Sequence, residues 1–461
     1  MNQEREPRQV AVRVIFIVLL LIAAGRLLGF AVRFSRESLQ MDFSAFYTAG
    51  EALNYGLSPY QNHITHVPPI WDGVDVFQHS RFLYPPLVAT LFQPIAMLPY
   101  PVAKFLWTLF SLGCIGFALA ITMKMLGQNR LEEILGVGVF VSLFYPLLTL
   151  LERGQIDAFT LAIIMLAIKW GNEEHNHWQM ASGMLWSLAA LFKLHTLFVF
   201  PFLIISRRWK AILGFIASGI LLLGVSVGVN GLPSLLDYMQ NQFPRISRFG
   251  EGGTEEMKLR RMDKLQNLLS DVPSGFTQKN GILYRQESFS FSAASNVTVI
   301  RPLAHRLAAI GLKLNYSQLS LLVFFCLFVL IWIWWARYRL NYMKLSIAQQ
   351  LMFWQIVLIV ILLSGPLTWV MNIVWLLPAV PLLLHKYLSV EDKRAAVYLS
   401  IGIIALFIAA IPDAVSFPLI VPYGERVFNA SKYLLAEALL LISLMLLLTR
   451  DVYLAWRLDQ R

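Results

Sequence analysis

Apolar runs recur from one end of the chain to the other, and they restrict the fold more than any other feature. A run of roughly 18 or more apolar residues is long enough to cross a hydrocarbon core about 30 Å thick. Of the 461 residues, 57% are hydrophobic and 14% are charged, whereas soluble domains carry about 25% charged residues. The sequence therefore predicts an all-α integral membrane protein that forms a single polytopic domain over residues 1–461.

Hydropathy predicts about twelve crossings. They are 14–32, 83–99, 101–123, 134–151, 156–170, 180–206, 210–230, 318–336, 347–363, 368–385, 395–411 and 431–449. We interpret the long segment 180–206 as one broken crossing, because Lys193, His195 and Pro201 interrupt it.

Clusters of Lys and Arg predict which loops are cytoplasmic. With this count of crossings, the basic clusters at 207–210, 337–344, 386–394 and 450–461 lie on the same side as the basic N-terminus. The positive-inside rule then predicts cytoplasmic N and C termini, and we expect a bacterial inner membrane. Two loops, 33–82 and 231–317, are predicted to be extracytoplasmic. Because long polar insertions between spans are often functional, we expect the second to be a lid or a substrate-facing insertion and not a linker.

Net charge, cysteine placement and the spacing of histidines and acids argue against several kinds of partner and site. A net charge of +11 in a membrane chain reflects cytoplasmic Lys and Arg and sites for anionic lipid, so we expect no nucleic-acid partner. Both cysteines lie in apolar runs, so no disulfide framework is predicted. No metal site is expected either, since the histidines and acids of the first loop match no ligand spacing; they are His63, His66, His79, Asp72 and Asp75.

The first extracytoplasmic loop begins with an isolated acid, Asp42, at the start of a helix-like run MDFSAFYTAGEALNYG. Asp is a favoured helix N-cap, although Ala45 leaves a capping box incomplete. The alternative is a general base that removes a proton from a sugar hydroxyl. The loop is rich in aromatic residues, which could form an interfacial belt or a platform for a sugar. Glu51, nine residues further on, is expected to face water.

Two polar positions interrupt the apolar segments. Lys193 is an ionisable residue within an apolar run with no acid in its own span, so a lipid phosphate is its expected partner; snorkelling to the interface is the alternative. Between two other runs stands Glu152-Arg153-Gly154-Gln155-Ile156-Asp157. Such charges are usually turn residues at the interface, but Gly154 and Gln155 could instead break the helix and line a cavity.

Four segments together resemble a known family. They are DFSAFYTAGEALNYGLSPY, FLYPPLVATLFQPIAMLP, RGQIDAFTLAIIMLAI and AALFKLHTLFVFPFLI, in this order. Their order and spacing are similar to glycosyltransferase family 87, whose members are polytopic GT-C enzymes. Typical members are mannosyltransferases that depend on polyprenyl-phosphate mannose. The resemblance covers most of residues 1–230 and, more thinly, the remainder.

The resemblance implies a GT-C fold with Asp42 as the catalytic acid. It also implies that Tyr84, Gln155 and Lys193 occupy the positions of the family's Tyr-Pro-Pro, Gly-Gln and Lys motifs. In SNVTVIRPLAHRL, a weakened form of a family Asn-Gln-Ser stretch, Arg301 and Arg306 are expected to bind the donor phosphate with Lys193.

The segment GPLTWVMNIVWLLP resembles the family's Pro-x-Ser-Trp-x-His-His pattern. Trp369 is retained, but Met371 and Asn372 replace the histidine pair, which suggests a different sugar or acceptor. Trp369 and Asn372 are predicted to bind substrate, together with Tyr47, Tyr60, Tyr84 and Gln155.

The predicted function is transfer of a sugar, mannose or another hexose or pentose, from a polyprenyl-phosphate donor to a glycan, glycolipid or other cell-envelope acceptor. The donor is a substrate, and no cofactor is expected. Inverting displacement with Asp42 as base would convert a β-linked donor into an α-linked product. Two alternatives stay open: a transporter or flippase for a lipid-linked or polar solute, and a polymerase or ligase of surface polysaccharide. Paired broken helices in matching halves would favour transport.

Overall fold

The computed structural model describes most of the chain. The described residues are 5–36, 42–56, 58–60, 82–246, 254–258, 276–279, 282–288, 297–312, 314–338, 340–389, 392–412 and 425–459.

Helices make up nearly all of the described structure. The helices of the first half are α1 (Arg5–Arg36), α2 (Asp42–Asn54), α3 (Pro86–Ala96), α4 (Tyr100–Met125), α5 (Leu131–Leu143), α6 (Tyr145–Arg153), α7 (Asp157–Gly171), α8 (Asn176–Phe192), α9 (Phe200–Ile205), α10 (Trp209–Asn230), α11 (Leu232–Asp237) and α12 (Phe243–Ile246). Those of the second half are α13 (Ile300–Ala309), α14 (Tyr316–Arg337), α15 (Ile347–Ser364), α16 (Ala379–Ser389), α17 (Lys393–Ala410) and α18 (Glu425–Asp459). Short 3₁₀ helices cover Leu194–Val199, Tyr342–Lys344 and Val370–Leu376, and a π-helical turn covers Tyr238–Gln242.

The chain is an integral membrane protein. Within the described residues, eight helices are long and apolar enough to cross a membrane, and a ninth span results if α5 and α6, which meet at a 60° bend, are counted as one. The predicted helical membrane fold is therefore confirmed, whereas the total of about twelve crossings stays a prediction. The most deeply buried helix is α15, which stands in the core of the bundle.

The long loop contains a small antiparallel sheet that the sequence analysis did not predict. Its strands are β1 (Thr254–Lys258), β2 (Phe276–Lys279) and β3 (Ile282–Ser288), in the order β1-β3-β2. Thr254 pairs with Ser288 and Phe276 with Arg285. The sheet is an addition to the helical fold and lies within the predicted loop 231–317.

The predicted crossing at 83–99 is wrong. Helix α3 has 11 residues, and at 1.5 Å per residue it is only about 16 Å long. It lies alongside α2: a Cβ on Gly50 would be 2.7 Å from the backbone carbonyl carbon of Phe92, and Tyr47 donates a hydrogen bond to the carbonyl of Leu98 (2.8 Å). Hydropathy misread this segment because it is apolar on account of its contacts with protein rather than with lipid.

The predicted single crossing at 180–206 is a helical hairpin instead. Lys193, at the end of α8, contacts Asp157 at the beginning of α7. Arg208 contacts Asn172, just after the end of α7 (Nη2 to Oδ1, 2.6 Å). The chain therefore travels the length of α7 again between residues 193 and 208. The break falls at the first of the three residues that were predicted to interrupt the segment: α8 ends at Phe192, and Lys193 has extended backbone. Pro201 lies in the first turn of α9 and does not cause the break.

One crossing is lost at 83–99 and one is gained within 180–206, so the number of crossings before residue 231 is unchanged. The later loops therefore lie at the end of the molecule where they were predicted to lie. Thr90 on α3 donates a hydrogen bond to Asn230 at the end of α10 (3.0 Å), and Tyr238 stacks on Tyr60 with ring centroids 6.0 Å apart. The chain after α10 therefore starts at the same end as Asp42. Basic residues gather at the opposite end, as in the ion pair of Arg13 with Glu132 (2.6 Å). Which end is cytoplasmic stays a prediction.

Candidate active site

A polar turn, Arg153–Asp157, separates α6 from α7 and organises the site. Helix α6 ends because Gly154 adopts a left-handed conformation (φ 65°, ψ 38°), which glycine tolerates best. The buried Lys104 donates to the carbonyls of Leu151 (3.1 Å) and Glu152 (2.7 Å) and so satisfies the end of the helix. The polar turn is therefore held by side chains and is not a loose connection at the interface.

Asp42 is anchored to the first residue of the polar turn. Phe43 packs against Gly154 so closely that a Cβ there would be 2.6 Å from the Phe43 Cβ, which brings the start of α2 against the turn. Arg153 Nε then donates to Asp42 Oδ2 at 2.7 Å, and its Nη2 lies 3.5 Å from Oδ1. The Asp42 side chain is 17% exposed, so the carboxylate remains within reach of a ligand.

The third residue of the polar turn holds Tyr84. The Tyr84 hydroxyl donates to Gln155 Oε1 (3.1 Å), which also accepts from the backbone N–H of Ile156 (3.3 Å). The Tyr84 ring packs against Phe46 of α2, with centroids 4.7 Å apart. Tyr84 therefore links the helix of Asp42 to the polar turn.

The last residue of the polar turn is the centre of a buried polar cluster. Lys193 Nζ lies 3.0 Å from Asp157 Oδ2, and Asn372 Nδ2 donates to Asp157 Oδ1 (2.5 Å). Asn372 Oδ1 in turn accepts from the backbone N–H of Trp369 (2.5 Å). Asp157 and Asn372 have no exposed surface. This cluster joins the second half of the chain to the first.

The structure brings together most of the predicted site residues, but it changes the interpretation of Lys193. Asp42, Tyr84, Gln155, Lys193 and Asn372 all contact the polar turn or belong to it. The sequence offered no acid within the span of Lys193; the fold supplies Asp157 from the neighbouring helix. A phosphate partner is therefore no longer needed to explain the position of Lys193.

Other predicted substrate residues are packed into the protein. Tyr47 is buried and packs edge-on against Tyr100 with centroids 5.1 Å apart. Tyr60 is also buried and donates to the carbonyl of Tyr84 (2.8 Å). Tyr60 therefore helps to position Tyr84, whereas Tyr47 packs α2 against α4. Trp369 is partly buried at the edge of the polar cluster.

Arg301 and Arg306 lie on α13, which packs against α14. The backbone N–H of Val297 donates to the carbonyl of Thr368 (2.8 Å), so α13 starts beside Trp369. Arg306 is exposed and Arg301 half-buried. The two arginines therefore lie near the site, on a helix that starts beside Trp369, and are not part of the polar turn.

The expectation that Glu51 faces water is wrong. It is only 8% exposed, because α3 covers this side of α2. Burial raises the pKa of the Glu51 carboxyl above its ordinary value of 4.5, while a hydrogen bond with Asn54 acts in the opposite direction.

Sequence reasoning missed the roles of Arg153, Asp157 and Lys104. The signal was present, since Glu152–Asp157 places three charges and an amide between two apolar runs. The ordinary interpretation of such charges as interfacial turn residues obscured it. No cluster of three or more metal-ligating side chains exists among the described residues. The histidines and acids considered as metal ligands in the first loop lie outside the described residues.

The region around the polar turn is similar to known glycosyltransferases. The model of glycosyltransferase family 87 matches residues 82–273. The polyprenol-phosphate-mannose-dependent alpha-(1-2)-phosphatidylinositol pentamannoside mannosyltransferase of Mycolicibacterium smegmatis is 25% identical over 135 residues, which are 28% of this chain and 31% of that relative. The match thus spans less than a third of the relative's length.

The chain also resembles a solved membrane-protein structure at a low level. The crystal structure of ArnT from Cupriavidus metallidurans bound to undecaprenyl phosphate aligns with 95% of this chain and 76% of ArnT, at 14% identity and a TM-score of 0.38. The segment that the family model matches contains Tyr84, the whole polar turn and Lys193. Residues 82–273, less than half of the chain, are thus similar to glycosyltransferase family 87.

Proposed function

We propose that this protein is a membrane glycosyltransferase that moves a sugar from a polyprenyl-phosphate donor to a hydroxyl-bearing acceptor on the extracytoplasmic face. The observation that carries the proposal is the attachment of Asp42 to the polar turn of the family segment through Arg153. A partly exposed carboxylate fixed beside the end of a membrane-embedded helix can meet both a lipid-borne donor and a polar acceptor.

Asp42 acts as the general base. A hydroxyl is a weak nucleophile, and a carboxylate within about 2.6–3.2 Å can accept its proton as the new bond forms. The acceptor oxygen bonds to the anomeric carbon, the bond from that carbon to the phosphate oxygen breaks, and the phosphate leaves with the electron pair. Because this is a single displacement, a β-linked donor gives an α-linked product.

Cationic side chains stabilise the charge that grows on the departing phosphate. We assign this role to Arg301 and Arg306, whose helix starts beside Trp369, and to Lys193, which lies at the bottom of the site. Lys193 is already paired with Asp157. It therefore either stabilises the phosphate charge from a distance or exchanges Asp157 for the phosphate when the donor binds.

The proposed sugar is mannose, with another hexose or a pentose as the alternative. The relative in Mycolicibacterium smegmatis is described as dependent on polyprenol-phosphate mannose, which supports this choice. Asn372, which stands in place of a family histidine, is bound to Asp157 and to the Trp369 backbone. Asn372 therefore helps to shape the buried side of the site, and we assign it a part in acceptor preference. The acceptor is a glycan, a glycolipid or another cell-envelope molecule.

The experiment compares the parent protein with Asp42→Asn in membranes supplied with radiolabelled polyprenyl-phosphate mannose. Asparagine keeps an oxygen that can accept from Arg153, but it cannot take a proton. We expect the variant to fold and bind donor like the parent and to transfer roughly 10²–10⁴-fold more slowly, which is the usual effect of losing a general base.

A matched control is Asp451→Asn, at the opposite end of the protein, where the carboxylate pairs with Lys386. This variant should transfer sugar at the parent's rate. Near-normal transfer by Asp42→Asn would contradict the assigned base. Uptake of labelled solute without any transfer by the parent would favour a transporter.

A further inference from the structure

The two oxygens of the Asp42 carboxylate have different surroundings. Oδ2 accepts a short hydrogen bond from Arg153 Nε at 2.7 Å, whereas Oδ1 is 3.5 Å from Nη2. A separation of 3.5 Å is at the limit of a hydrogen bond. The guanidinium group therefore holds Oδ2 closely, whereas its contact with Oδ1 is long and weak.

The backbone that carries Arg153 is fixed on both sides. Lys104 holds the carbonyls that precede it, and Trp107 Nε1 donates to the carbonyl of Gly154 that follows it (2.8 Å). Lys104 itself is only 3% exposed. A guanidinium group with a rigid attachment can define the orientation of a carboxylate at the start of a helix.

We propose that Arg153 is the positioning residue of the transfer reaction: it binds Asp42 Oδ2 and so directs Oδ1 toward the acceptor hydroxyl. The inference rests on the proposed function and deepens it by naming the reacting oxygen and the residue that aims it. In the step, Oδ1 takes the hydroxyl proton while the acceptor oxygen bonds to the anomeric carbon and the phosphate leaves. Arg153 keeps all its protons throughout.

This role differs from that of an ordinary ion pair at a protein surface. Such pairs contribute little, and breaking one should not change a reaction rate. A positioning pair instead sets the place of a catalytic group relative to the reacting atoms. Moving that group by about 1 Å can lower the rate on the order of 100-fold. The ion pair of Arg13 with Glu132 has the same Nε-to-carboxylate geometry at 2.6 Å and lies at the other end of the molecule, so it offers a matched control.

The test measures kcat and the donor KM for Arg153→Gln, Arg153→Lys and Arg13→Gln with polyprenyl-phosphate mannose in detergent. We expect kcat of Arg153→Gln to fall by about 10- to 100-fold, with the donor KM within about threefold of the parent value and Arg13→Gln unchanged. Arg153→Lys keeps the charge but not the Nε–H, so it should restore only part of the rate.

Two further measurements separate positioning from a merely structural role. Added guanidinium ion should partly restore transfer by Arg153→Ala and should not affect the parent. In the Asp42→Asn background, Arg153→Gln should cause no further loss, because the residue acts only through Asp42.

The outcomes distinguish this inference from the function on which it rests. If the parent transfers sugar and Arg153→Gln keeps its kcat, or if its loss is entirely in the donor KM, the positioning role is overturned while the proposed function stands. A loss that persists in full in the Asp42→Asn background also overturns it. If the parent binds donor lipid but transfers no sugar to any acceptor, the proposed function fails first.

Discussion

The buried pair of Lys193 and Asp157 allows a sharp test of the site. Asp157 has no exposed surface, and Lys193 Nζ lies 3.0 Å from its Oδ2. Lys193→Met would remove the cation beside Oδ2 and leave the hydrogen bond from Asn372 to Oδ1. Because removing one member of a buried ion pair leaves an uncompensated charge, the variant should lose about 3–5 kcal/mol of stability.

The double variant Lys193→Met with Asp157→Asn removes both charges and should be more stable than the single one. Asparagine at position 157 can still accept a hydrogen bond from Asn372. We therefore expect apparent melting temperatures, measured on detergent-purified protein, in the order parent, double variant, single variant. Equal stability of the single and double variants would refute the argument from an uncompensated charge.

Donor binding by the double variant tests the other role of Lys193. If this lysine also contacts the donor phosphate, the double variant should bind donor lipid more weakly even though it is folded. A hydrogen bond to a charged group contributes about 1.5–3 kcal/mol, which corresponds to a loss of roughly 10- to 150-fold in affinity. Parent-like donor affinity in the double variant would leave Lys193 as the counter-ion of Asp157 alone.

Two other variants probe the surroundings of the site. Gly154→Ala should lose about 1–2 kcal/mol for its positive φ and about 1–3 kcal/mol more for overpacking against Phe43. Gly127→Ala has a similar φ of +68° but open space around it, so it should lose only the first contribution in the same thermal denaturation, and equal losses would contradict the close packing. Glu51→Gln tests the raised pKa of Glu51. The free energy of unfolding of the parent, relative to that of Glu51→Gln, should be highest below pH 4.5 and should fall as pH rises through the higher pKa of the folded state. A stability difference between these two proteins that does not change with pH would show that the carboxyl is not desolvated.

Local sequence determined the class of the protein and several of its breaks. The recurrence of apolar runs was enough to predict an integral membrane protein, since a chain segment in lipid must satisfy its backbone within a helix. The start of α2 at Asp42 was likewise predicted from short-range features, as was an interruption within 193–201, where α8 ends. These properties depend on neighbours along the chain, so they can be read from it.

Hydropathy could not determine which apolar segments cross the membrane. A side chain buried against protein and one facing lipid are both apolar, so α3 resembled a span although α2 covers it. The hairpin at 176–205 resembled one crossing for a related reason: its turn at Lys193 is polar because it faces Asp157, and the sequence shows the polarity without the partner.

The candidate site was decided by tertiary structure. Arg153 and Asp42 are 111 positions apart, and Asn372 and Asp157 are 215 apart. The sequence could nominate Asp42, Tyr84, Gln155 and Lys193 by residue type and resemblance, but not their partners. Ion pairs and hydrogen bonds need atoms within about 3 Å, and only the packing of α2, α6, α7 and α8 brings those atoms together. The chain thus specified which groups are available, and the fold decided which of them meet.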